Sequence, residues 1–397
     1  MKLQVLIADK LSERAVAELS ELGAEVRVEP GLGADDLPGA IAEAEVLIVR
    51  STKVTRDAIE SGKNLSLIIR AGAGVNTIDI AAASEYGISV ANCPGKNTAA
   101  VAELVIGLLI AADRRIPAAT ADLQAGQWRK KAYQSSAGFK GRRLGIVGFG
   151  SIGRAVARAA HGLGMEVAAW SRSLTPEAAE EAEVSYCATM EEAAKCDAVS
   201  IHLASTPDTK GSIDAKFFDL MPAGAIFVNT SRGEIVDQAA LAAAIEQKQL
   251  RVALDVYEQE PGAGEAPFPD TQFAKKLCAA TPHIGASTDQ ASEAIADETV
   301  RVVRAYLETG KPINAVNIRE KATEAVTLVV RHFNRVGVLA SELDLLKDAG
   351  INIEEMENTI FQGGATASCS LKLDKTPDAP LLEKLRSPEH VIQVMVK

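Results

Sequence analysis

Short apolar runs rich in Val, Ile and Leu alternate with segments of helical periodicity from the start of the chain. The runs nearest the N-terminus are LQVLIAD, AEVRVE, AEVLIVR, LSLIIRA and SVANC. Near-continuous apolar strands separated by helices are typical of a parallel sheet that is covered on both faces. A second series begins at Arg143, with the runs LGIVG, EVAAW, AVSIHL, AIFVNT and RVALDV. The pattern predicts an α/β fold with two doubly wound, Rossmann-like parallel-sheet domains.

An Ala-rich stretch, residues 97–118, joins the two series. Ala100, Leu104, Leu108 and Ala111 recur along it at helical spacing, and Asn97 precedes them as a helix-capping residue. We expect one long helix here, packed in the core or against another subunit.

The pattern changes again after Lys321. A strand TLVVRHF, a helix RVGVLASELDLLKDAG, the strands INIEEMENTIF and ATASCSLKL, a helix at residues 381–385 and a strand VIQVMV follow one another. This β-α-β-β-α-β order predicts a ferredoxin-like C-terminal domain. Residues 308–324, which precede it, are the expected linker.

Charge and cysteine content narrow the possible partners. Lys and Arg number 42 against 53 Asp and Glu, a net charge of -11, and such an acidic chain is repelled by nucleic-acid phosphates. The 5 cysteines are scattered without metal-site or redox spacing, which favours free thiols in a reducing compartment. The longest apolar run, residues 104–112, is about half of what a membrane crossing needs, and the N-terminus has no signal-peptide pattern. We expect a cytoplasmic protein with no nucleic-acid, membrane or metal partner.

One glycine-rich segment has both the sequence and the context of a dinucleotide-binding loop. Gly148, Gly150 and Gly153 match G-x-G-x-x-G directly after an apolar strand and directly before an Ala-rich helix. The first glycine allows the tight turn, the second lets the backbone approach a pyrophosphate, and the third lets helix and strand pack closely. The helix start at Ser151 and Ile152 would offer N–H groups to that pyrophosphate. The segment therefore predicts an NAD or NADP site.

The end of the next strand bears on the choice between NAD and NADP. An acidic side chain usually accepts the ribose hydroxyls there, but this chain has Ser171 followed by Arg172. A hydroxyl and a guanidinium suit a 2′-phosphate, so the pair favours NADP. The alternative is an exposed arginine that tolerates either cofactor.

Later loops carry groups suited to hydride transfer from a 2-hydroxy acid. Arg232 could hold a substrate carboxylate through paired hydrogen bonds, and His283 could exchange the hydroxyl proton near neutral pH. Glu260 could bind the far nitrogen of the His283 ring, fix its tautomer and favour its protonated form. Each residue alone could instead be structural or solvated. Their order downstream of the dinucleotide loop is what indicates catalysis.

In these motifs the chain resembles the D-isomer-specific 2-hydroxyacid dehydrogenases. The segments LGIVGFGSIG, NTSRGEIVD, ALDVYEQEP and TPHIGAST are similar to that family's NAD-binding, arginine, glutamate and histidine motifs. The resemblance implies that Arg232 binds the substrate carboxylate and that Glu260 supports His283 as the acid or base. It also implies cofactor contacts, at Asp255 on the nicotinamide side and elsewhere at Thr230, Ser231, Gly285 and Ala286.

The same resemblance implies a phosphorylated three-carbon substrate, 3-phosphoglycerate. Basic residues at strand ends of the first series would approach it: Arg50, Lys53 and Arg70. The segment Gly72, Ala73 and Gly74 is expected to line the same site. The cluster at residues 129–131 would reach across a dimer, or else be solvated surface charge.

These expectations divide the chain into three domains. A discontinuous substrate-binding domain comprises residues 1–97 and 288–318, and a dinucleotide-binding Rossmann domain comprises residues 98–287. A regulatory domain comprises residues 323–397. The family frame implies a homodimer or homotetramer.

The C-terminal domain is similar to ACT domains, which sense amino acids. In serine-responsive relatives a His, an Asn two residues later and an Asn before the next strand contact serine, and here these positions are His332, Asn334 and Asn352. Amide and imidazole groups can satisfy an amino-acid zwitterion by hydrogen bonding. Val336 replaces the proline common in that loop, and a purely structural dimerisation module is the alternative.

Three functions remain open on the sequence. The first is NAD(P)-dependent oxidation of 3-phosphoglycerate in serine biosynthesis, with serine as a possible effector. The second is an NADP-dependent hydroxypyruvate or glyoxylate reductase, favoured by Ser171 and Arg172. The third is a non-catalytic protein that senses nucleotide and amino acid, against which the complete set of Arg232, Glu260 and His283 argues.

Overall fold

Short parallel strands form the first sheet, in the order β2-β1-β3-β4-β5. The strands are β1 (Gln4–Ile7), β2 (Glu25–Val28), β3 (Val46–Val49), β4 (Leu67–Arg70) and β5 (Ser89–Asn92). The helices that connect them are α1 (Glu13–Glu21), α2 (Leu37–Ala40), α3 (Arg56–Ser61) and α4 (Ile80–Glu85). Every residue of β3, VLIV, is buried, as expected for a strand covered on both faces.

The second sheet is also parallel, in the order β12-β11-β10-β9-β6-β7-β8. Its strands are β6 (Arg143–Val147), β7 (Glu166–Trp170), β8 (Ser185–Tyr186), β9 (Ala198–Ile201), β10 (Ile226–Asn229), β11 (Arg251–Leu254) and β12 (Ala279–Ala280). The two-residue strand β8 was not predicted, because it is too short to leave an apolar run, whereas β12 is the end of the apolar run LCAA that precedes the His283 loop. The winding reverses beside β6, where open α/β sheets bind ligands.

The helices around this sheet, in chain order, are α5 (Thr98–Arg114), α6 (Ile116–Gln124), α7 (Ser151–Gly162), α8 (Pro176–Glu181), α9 (Met190–Ala194), α10 (Ala215–Leu220), α11 (Gln238–Lys248), α12 (Thr271–Ala274) and α13 (Asp289–Thr309). Helix α13 returns to the first sheet, where Ile295, Val300 and Val303 join the same core as Val5 and Ile48.

The expected single helix over residues 97–118 is two helices. Arg115 adopts a left-handed conformation with φ 52° between α5 and α6. Pro117 explains the break, because its ring has no N–H and would clash with the carbonyl of Asp113 in a continuous helix. That carbonyl instead accepts hydrogen bonds from Ser136 Oγ at 3.0 Å and Arg251 Nη1 at 3.1 Å.

The expected linker over residues 308–324 is in large part attached to the first sheet. Ala315 forms an antiparallel bridge with Ala91 of β5, and the N–H of Val316 donates to the Val90 carbonyl at 2.8 Å. The side chain of Asn317 accepts from the Val90 N–H and donates to the Ile88 carbonyl, both at 2.8 Å. Residues 320–324 of that segment lie outside the described residues.

The C-terminal part has the predicted β-α-β-β-α-β order. It comprises β13 (Val326–Phe333), α14 (Val338–Asp348), β14 (Ile353–Ile360), β15 (Thr366–Leu373), α15 (Ala379–Arg386) and β16 (Val391–Val396). The four strands form an antiparallel sheet in the order β14-β15-β13-β16, which is the ferredoxin-like arrangement.

This computed structural model describes residues 2–261, 265–319 and 326–397. The chain divides into two compact units, Met1–Ile318, which we call the first unit, and Arg319–Lys397, which we call the second unit. Within the described ranges, no helix has the length and apolar character that a membrane crossing requires.

Candidate active site

The three fingerprint glycines have distinct surroundings beside β6. Gly148 has a φ of 99°, and a side chain there would meet the carbonyl of His202. A side chain at Gly153 would overlap the carbonyl oxygen of Gly148, so helix and strand pack too closely for any other residue. A side chain at Gly150 would meet nothing within 4 Å, which leaves open space at the start of α7. These are the turn, approach and packing roles expected from the sequence, and the open space at Gly150 fits a pyrophosphate.

Ser171 and Arg172 directly follow β7, at the same edge of the sheet as this loop. Ser171 is half-buried and Arg172 is exposed. Within the described ranges, the Arg172 guanidinium has no hydrogen-bond or ion-pair partner. No carboxylate occupies the position where ribose hydroxyls are usually accepted.

His283 and Glu260 are in direct contact. The Nδ1 atom of His283 lies 2.7 Å from Glu260 Oε2, and the other carboxylate oxygen accepts from the Tyr257 N–H at 3.0 Å. Burial raises the pKa of Glu260, but the hydrogen bonds from His283 and Tyr257 outweigh burial and the net pKa is lowered. The Nε2 atom of His283 has no hydrogen-bond partner in the described part of the chain. A charged carboxylate thus orients the ring and leaves its other nitrogen free.

Asp255 holds the loop that carries His283. Its Oδ1 accepts from Thr281 Oγ1 at 2.7 Å and from the Ile284 N–H at 2.8 Å, and its Oδ2 accepts from the Gly285 N–H at 2.9 Å. Asp255 has no exposed surface. In this conformation Asp255 therefore acts on the site through the loop, and its expected contact with the nicotinamide side stays a prediction.

Arg232 lies beside the same pair and reaches the first sheet. Its pKa is lowered by burial and raised in part by the charge of Glu260. Its Nη2 and Nε atoms donate to Asn76 Oδ1 at 3.2 and 3.3 Å, and its Nη1 donates to the Ser231 carbonyl at 2.6 Å. Asn229, at the end of β10, donates to the Arg232 carbonyl at 2.9 Å and fixes the loop.

Arg70 and Arg50 extend this site along the ends of β4 and β3. Burial, and to a smaller extent the charges of Arg232 and Arg50, lower the pKa of Arg70 to about 10. The Arg70 Nε is buried and has no hydrogen-bond partner among the described residues. Asp9 is the nearby carboxylate, but its Oδ2 already accepts from three successive N–H groups, those of residues 50–52. The cluster is therefore poorly neutralised and suited to an anion.

Lys53 is exposed, and the structure gives its side chain no contact with this cluster. The segment Gly72–Gly74 does lie within it. A side chain at Gly72 would overlap the guanidinium of Arg70, and one at Gly74 would overlap that of Arg232. Among the hydrogen bonds of the described residues, none uses the N–H of Ala73 or Gly74.

The remaining expected cofactor residues line the ends of β10 and the His283 loop. Thr230 is buried, and its Oγ1 makes no hydrogen bond to any of the described residues. Ser231 Oγ donates to Asn229 Oδ1 at 2.7 Å. Gly285 is buried against Asp255, and Ala286 follows it half-buried.

The three expected effector residues do not form one site within a single second unit. His332 is buried, and its ring nitrogens lie 2.9 Å from the Phe333 carbonyl and 3.3 Å from Asn358 Oδ1, and its expected contact with serine stays a prediction. Asn334 follows the end of β13 and donates to the Gly364 carbonyl at 2.9 Å. Asn352 directly precedes Ile353 of β14. Ile353 pairs with Leu373 of β15, and Leu373 pairs in turn with Val326 at the start of β13. The length of that eight-residue strand, roughly 25 Å, separates Asn352 from Asn334.

Sequence reasoning missed the amides Asn76 and Asn229 and the ring of Tyr257. Both amides stand inside motifs already noted, RAGAGVN and NTSRGEIVD, so a signal for them existed. The Tyr257 hydroxyl lies 3.0 Å from the Thr281 carbonyl, a contact between distant segments with no local signal.

Comparison with known proteins gives a consistent set of relatives. The sequence model of the "D-isomer specific 2-hydroxyacid dehydrogenase, NAD binding domain" matches residues 106–285. D-3-phosphoglycerate dehydrogenase of Methanocaldococcus jannaschii is 38% identical over 325 residues, which cover 80% of this chain and 60% of that protein. Hydroxypyruvate reductase of Thermotoga maritima is 40% identical over 276 residues, which cover 68% of this chain and 87% of that protein.

A solved structure agrees with these relatives. The NAD+-bound 3-phosphoglycerate dehydrogenase of Entamoeba histolytica aligns with a TM-score of 0.67 and 28% identity, covering 81% of this chain and 100% of that chain. The chain spans about three fifths of the length of the archaeal relative that it matches.

Proposed function

The chain belongs to the D-isomer specific 2-hydroxyacid dehydrogenase family, and from that premise we propose that it is a D-3-phosphoglycerate dehydrogenase. It oxidises the C2 hydroxyl of 3-phosphoglycerate to the ketone of 3-phosphohydroxypyruvate, with NAD or NADP as the hydride acceptor. The observation that carries the proposal is the 2.7 Å contact between His283 Nδ1 and Glu260, beside Arg232 and with His283 Nε2 free.

The residues of the site have complementary roles in this reaction. Arg232 and the free N–H groups of the Gly72–Gly74 segment bind the substrate carboxylate. His283 Nε2 takes the C2 hydroxyl proton, and Glu260 stabilises the resulting imidazolium. Bound nicotinamide supplies the acceptor for the hydride that leaves C2.

The phosphate of the substrate distinguishes this function from its rivals. Arg50 and Arg70 bind it, and Lys53 is the third basic residue that we propose to approach it. The pKa of Arg70 is lowered first by burial and then by the charges of Arg232 and Arg50, and a bound anion would offset both effects, which supports the role.

The cofactor is held by the loop Gly148–Gly153 at the start of α7, with Ser151 and Ile152 supplying N–H groups. Thr230, Ser231, Gly285 and Ala286 line the rest of the cleft. Arg172, exposed and unpaired in the described part of the chain, accommodates the 2′-phosphate of NADP beside Ser171.

We expect the ratio of kcat/KM for NADP to that for NAD to fall at least about tenfold in Arg172→Ala, since a charge-assisted contact is lost.

The domain division follows from these roles. Residues 1–97 and 288–318 form the substrate-binding domain, residues 98–287 the cofactor-binding domain, and residues 323–397 an ACT-type regulatory domain. The β-α-β-β-α-β order of the second unit supports the last assignment.

Serine is the proposed effector of the ACT-type domain. Asn352 lines an open groove of about 430 Å³ together with Lys347 and Gly350, which offers polar groups to an amino acid. Serine at millimolar concentration should change either the activity or the thermal stability of the chain. If it changes neither, the domain is structural.

A homodimer is the proposed minimum assembly. Trp128 is 81% exposed and stands directly before the basic residues 129–131, which supports an arm that reaches a second copy. Light scattering of the wild type and of Trp128→Ser measures this, and the variant should shift toward monomer.

A spectrophotometric assay of NAD(P)H tests the function. The wild type should oxidise 3-phosphoglycerate with a kcat/KM at least about a hundredfold above that for glycerate, the size expected of a lost charged contact.

The second candidate, a hydroxypyruvate reductase, is favoured by the Thermotoga maritima relative and by Arg172, and it would prefer hydroxypyruvate with NADPH. Absence of turnover with every 2-hydroxy and 2-keto acid would leave a non-catalytic sensor.

A further inference from the structure

The segment Gly72–Gly74 lies beneath two guanidinium groups and must keep a defined backbone conformation. Gly72 has a φ of 157°, and side chains at Gly72 and Gly74 would overlap the guanidiniums of Arg70 and Arg232. A small rotation of this segment would therefore move it against, or away from, both arginines.

Two donors from the end of β5 fix the segment. The Asn92 side chain donates from Nδ2 to the Ala73 carbonyl at 2.6 Å, and the Cys93 N–H donates to the Gly72 carbonyl at 2.9 Å. In a trans peptide the C=O and N–H groups point in opposite directions. Holding these two carbonyls toward β5 therefore turns the N–H groups of Ala73 and Gly74 away from β5, where they have no acceptor among the described residues.

Asn92 is itself anchored through Asn314, which follows α13, to the buried Glu298 of that helix. Its backbone exchanges hydrogen bonds with Asn314, at 3.3 Å from the Asn92 N–H to the Asn314 carbonyl and 3.3 Å from Asn314 Nδ2 to the Asn92 carbonyl. Asn314 Nδ2 also donates to Glu298 Oε1 at 2.7 Å, and Lys96 pairs with Glu298 Oε2 at 3.1 Å. Glu298 is 3% exposed, so this support is rigid.

We propose that Asn92 is a positioning residue: its amide holds the Gly72–Gly74 segment so that two backbone N–H groups face the substrate carboxylate beside Arg232. This inference rests on the proposed function, because it takes a 2-carboxylate as the ligand. The contact is made alike in the ground state and the transition state, so its loss raises KM and leaves kcat nearly unchanged.

The test compares Asn92→Ala and Asn92→Asp with a matched control, Asn317→Ala. The Asn317 side chain also hydrogen-bonds to β5, at Val90, and to Ile88 and Ser84 before it, but makes no hydrogen bond to the segment. Both Asn92 variants should raise KM for 3-phosphoglycerate about 5- to 20-fold, the effect of one well-placed hydrogen bond, with kcat within about twofold. Asn317→Ala should leave KM unchanged. Equal KM in Asn92→Asp and wild type, or an equal rise in Asn317→Ala, would overturn the proposal.

Hydrogen exchange separates this proposal from the function on which it rests. Peptides covering residues 70–78 should exchange faster in both Asn92 variants than in wild type or in Asn317→Ala, without any substrate present. If the wild type turns over a different 2-hydroxy acid, the proposed substrate is wrong, but KM for that acid tests Asn92 in the same way. Unchanged exchange in both Asn92 variants contradicts the positioning role whatever the substrate.

Discussion

At the scale of single residues, the environment of Glu260 decides how His283 works. Burial alone would raise the pKa of Glu260, yet the hydrogen bonds from His283 and the Tyr257 N–H lower it, so the carboxylate is ionised at neutral pH. An ionised partner on Nδ1 fixes the ring tautomer and stabilises the protonated ring.

Glu260→Gln should lower kcat/KM for the 2-hydroxy acid about 10- to 100-fold, because the amide cannot stabilise an imidazolium by charge. Steady-state assays measure kcat and KM. Glu258→Gln, in the same loop and exposed, is the control and should change neither, and an unchanged kcat/KM in Glu260→Gln would contradict the role.

Arg50 is a second single residue with a defined expected role, the binding of the substrate phosphate. It lies near enough to Arg70 to lower the pKa of that guanidinium, so both should share an anion. Arg50→Gln should raise KM for 3-phosphoglycerate about 10- to 100-fold with little change for glycerate, which lacks the phosphate. Arg56→Gln breaks surface pairs with Glu85 at 2.8 Å and Glu60 at 3.8 Å and should change neither KM. Equal loss with a small unphosphorylated acid would argue against a phosphate contact.

Some of these residues could be predicted from the sequence and others could not. Arg232, Glu260 and His283 each follow a strand of recognisable pattern, and parallel strands bring their C-terminal ends to one edge. Asn92 and Tyr257 act across segments whose proximity depends on strand order and helix packing. The burial of His332 could not be predicted, because it depends on the neighbouring strands β14 and β15 and not on its own segment.

At the scale of elements, two glycines in the turn from β6 into α7 are needed for different reasons. Gly153 is needed by the protein itself, because helix and strand touch there, whereas Gly150 faces open space. The same alternation of apolar strands and helices that predicted these elements could not reveal the break at Arg115, since Ala-rich periodicity continues across it. Pro117 was the local sign.

Gly150→Ala and Gly153→Ala should therefore fail in different ways. Gly150→Ala should keep the thermal stability of the wild type and weaken NAD binding at least about tenfold, because its methyl group occupies the space for the pyrophosphate. Gly153→Ala should lower stability by about 1–3 kcal/mol through overpacking against Gly148. Thermal unfolding without cofactor and fluorescence titration with NAD distinguish them. Equal loss of stability in both variants would contradict this division.

At the scale of the whole molecule, the stability of the second unit depends on pH. The carboxylate oxygens of Glu342, on α14 of that unit, are buried and have no hydrogen-bond partner among the described residues, and burial raises the pKa of Glu342 to about 7. The folded second unit therefore binds a proton that the unfolded chain has already lost. Stability falls as pH rises from the ordinary carboxyl range through about 7, and the loss is complete above that pH, on the order of 3 kcal/mol.

Glu342→Leu should remove this pH dependence. Hydrogen exchange of the second unit in the whole chain should slow about tenfold or more in the variant near pH 8, after correction for intrinsic rates, and change little near pH 5. Glu383→Leu, an exposed position on α15, is the control and should not alter the pH profile. Slowing of the same size at both pH values would mean that packing, and not the buried charge, is responsible.

The return of residues 314–317 along β5 has a consequence for solubility. An outermost strand offers unpaired backbone groups on which another chain can add, and β5 is the outermost strand at its end of the first sheet. Here residues 314–317 cover part of this sheet edge, because they bond to Val90, Ala91 and Asn92 of β5. The chain thus shields the sheet against uncontrolled strand addition with the very residues that lead to its C-terminal unit.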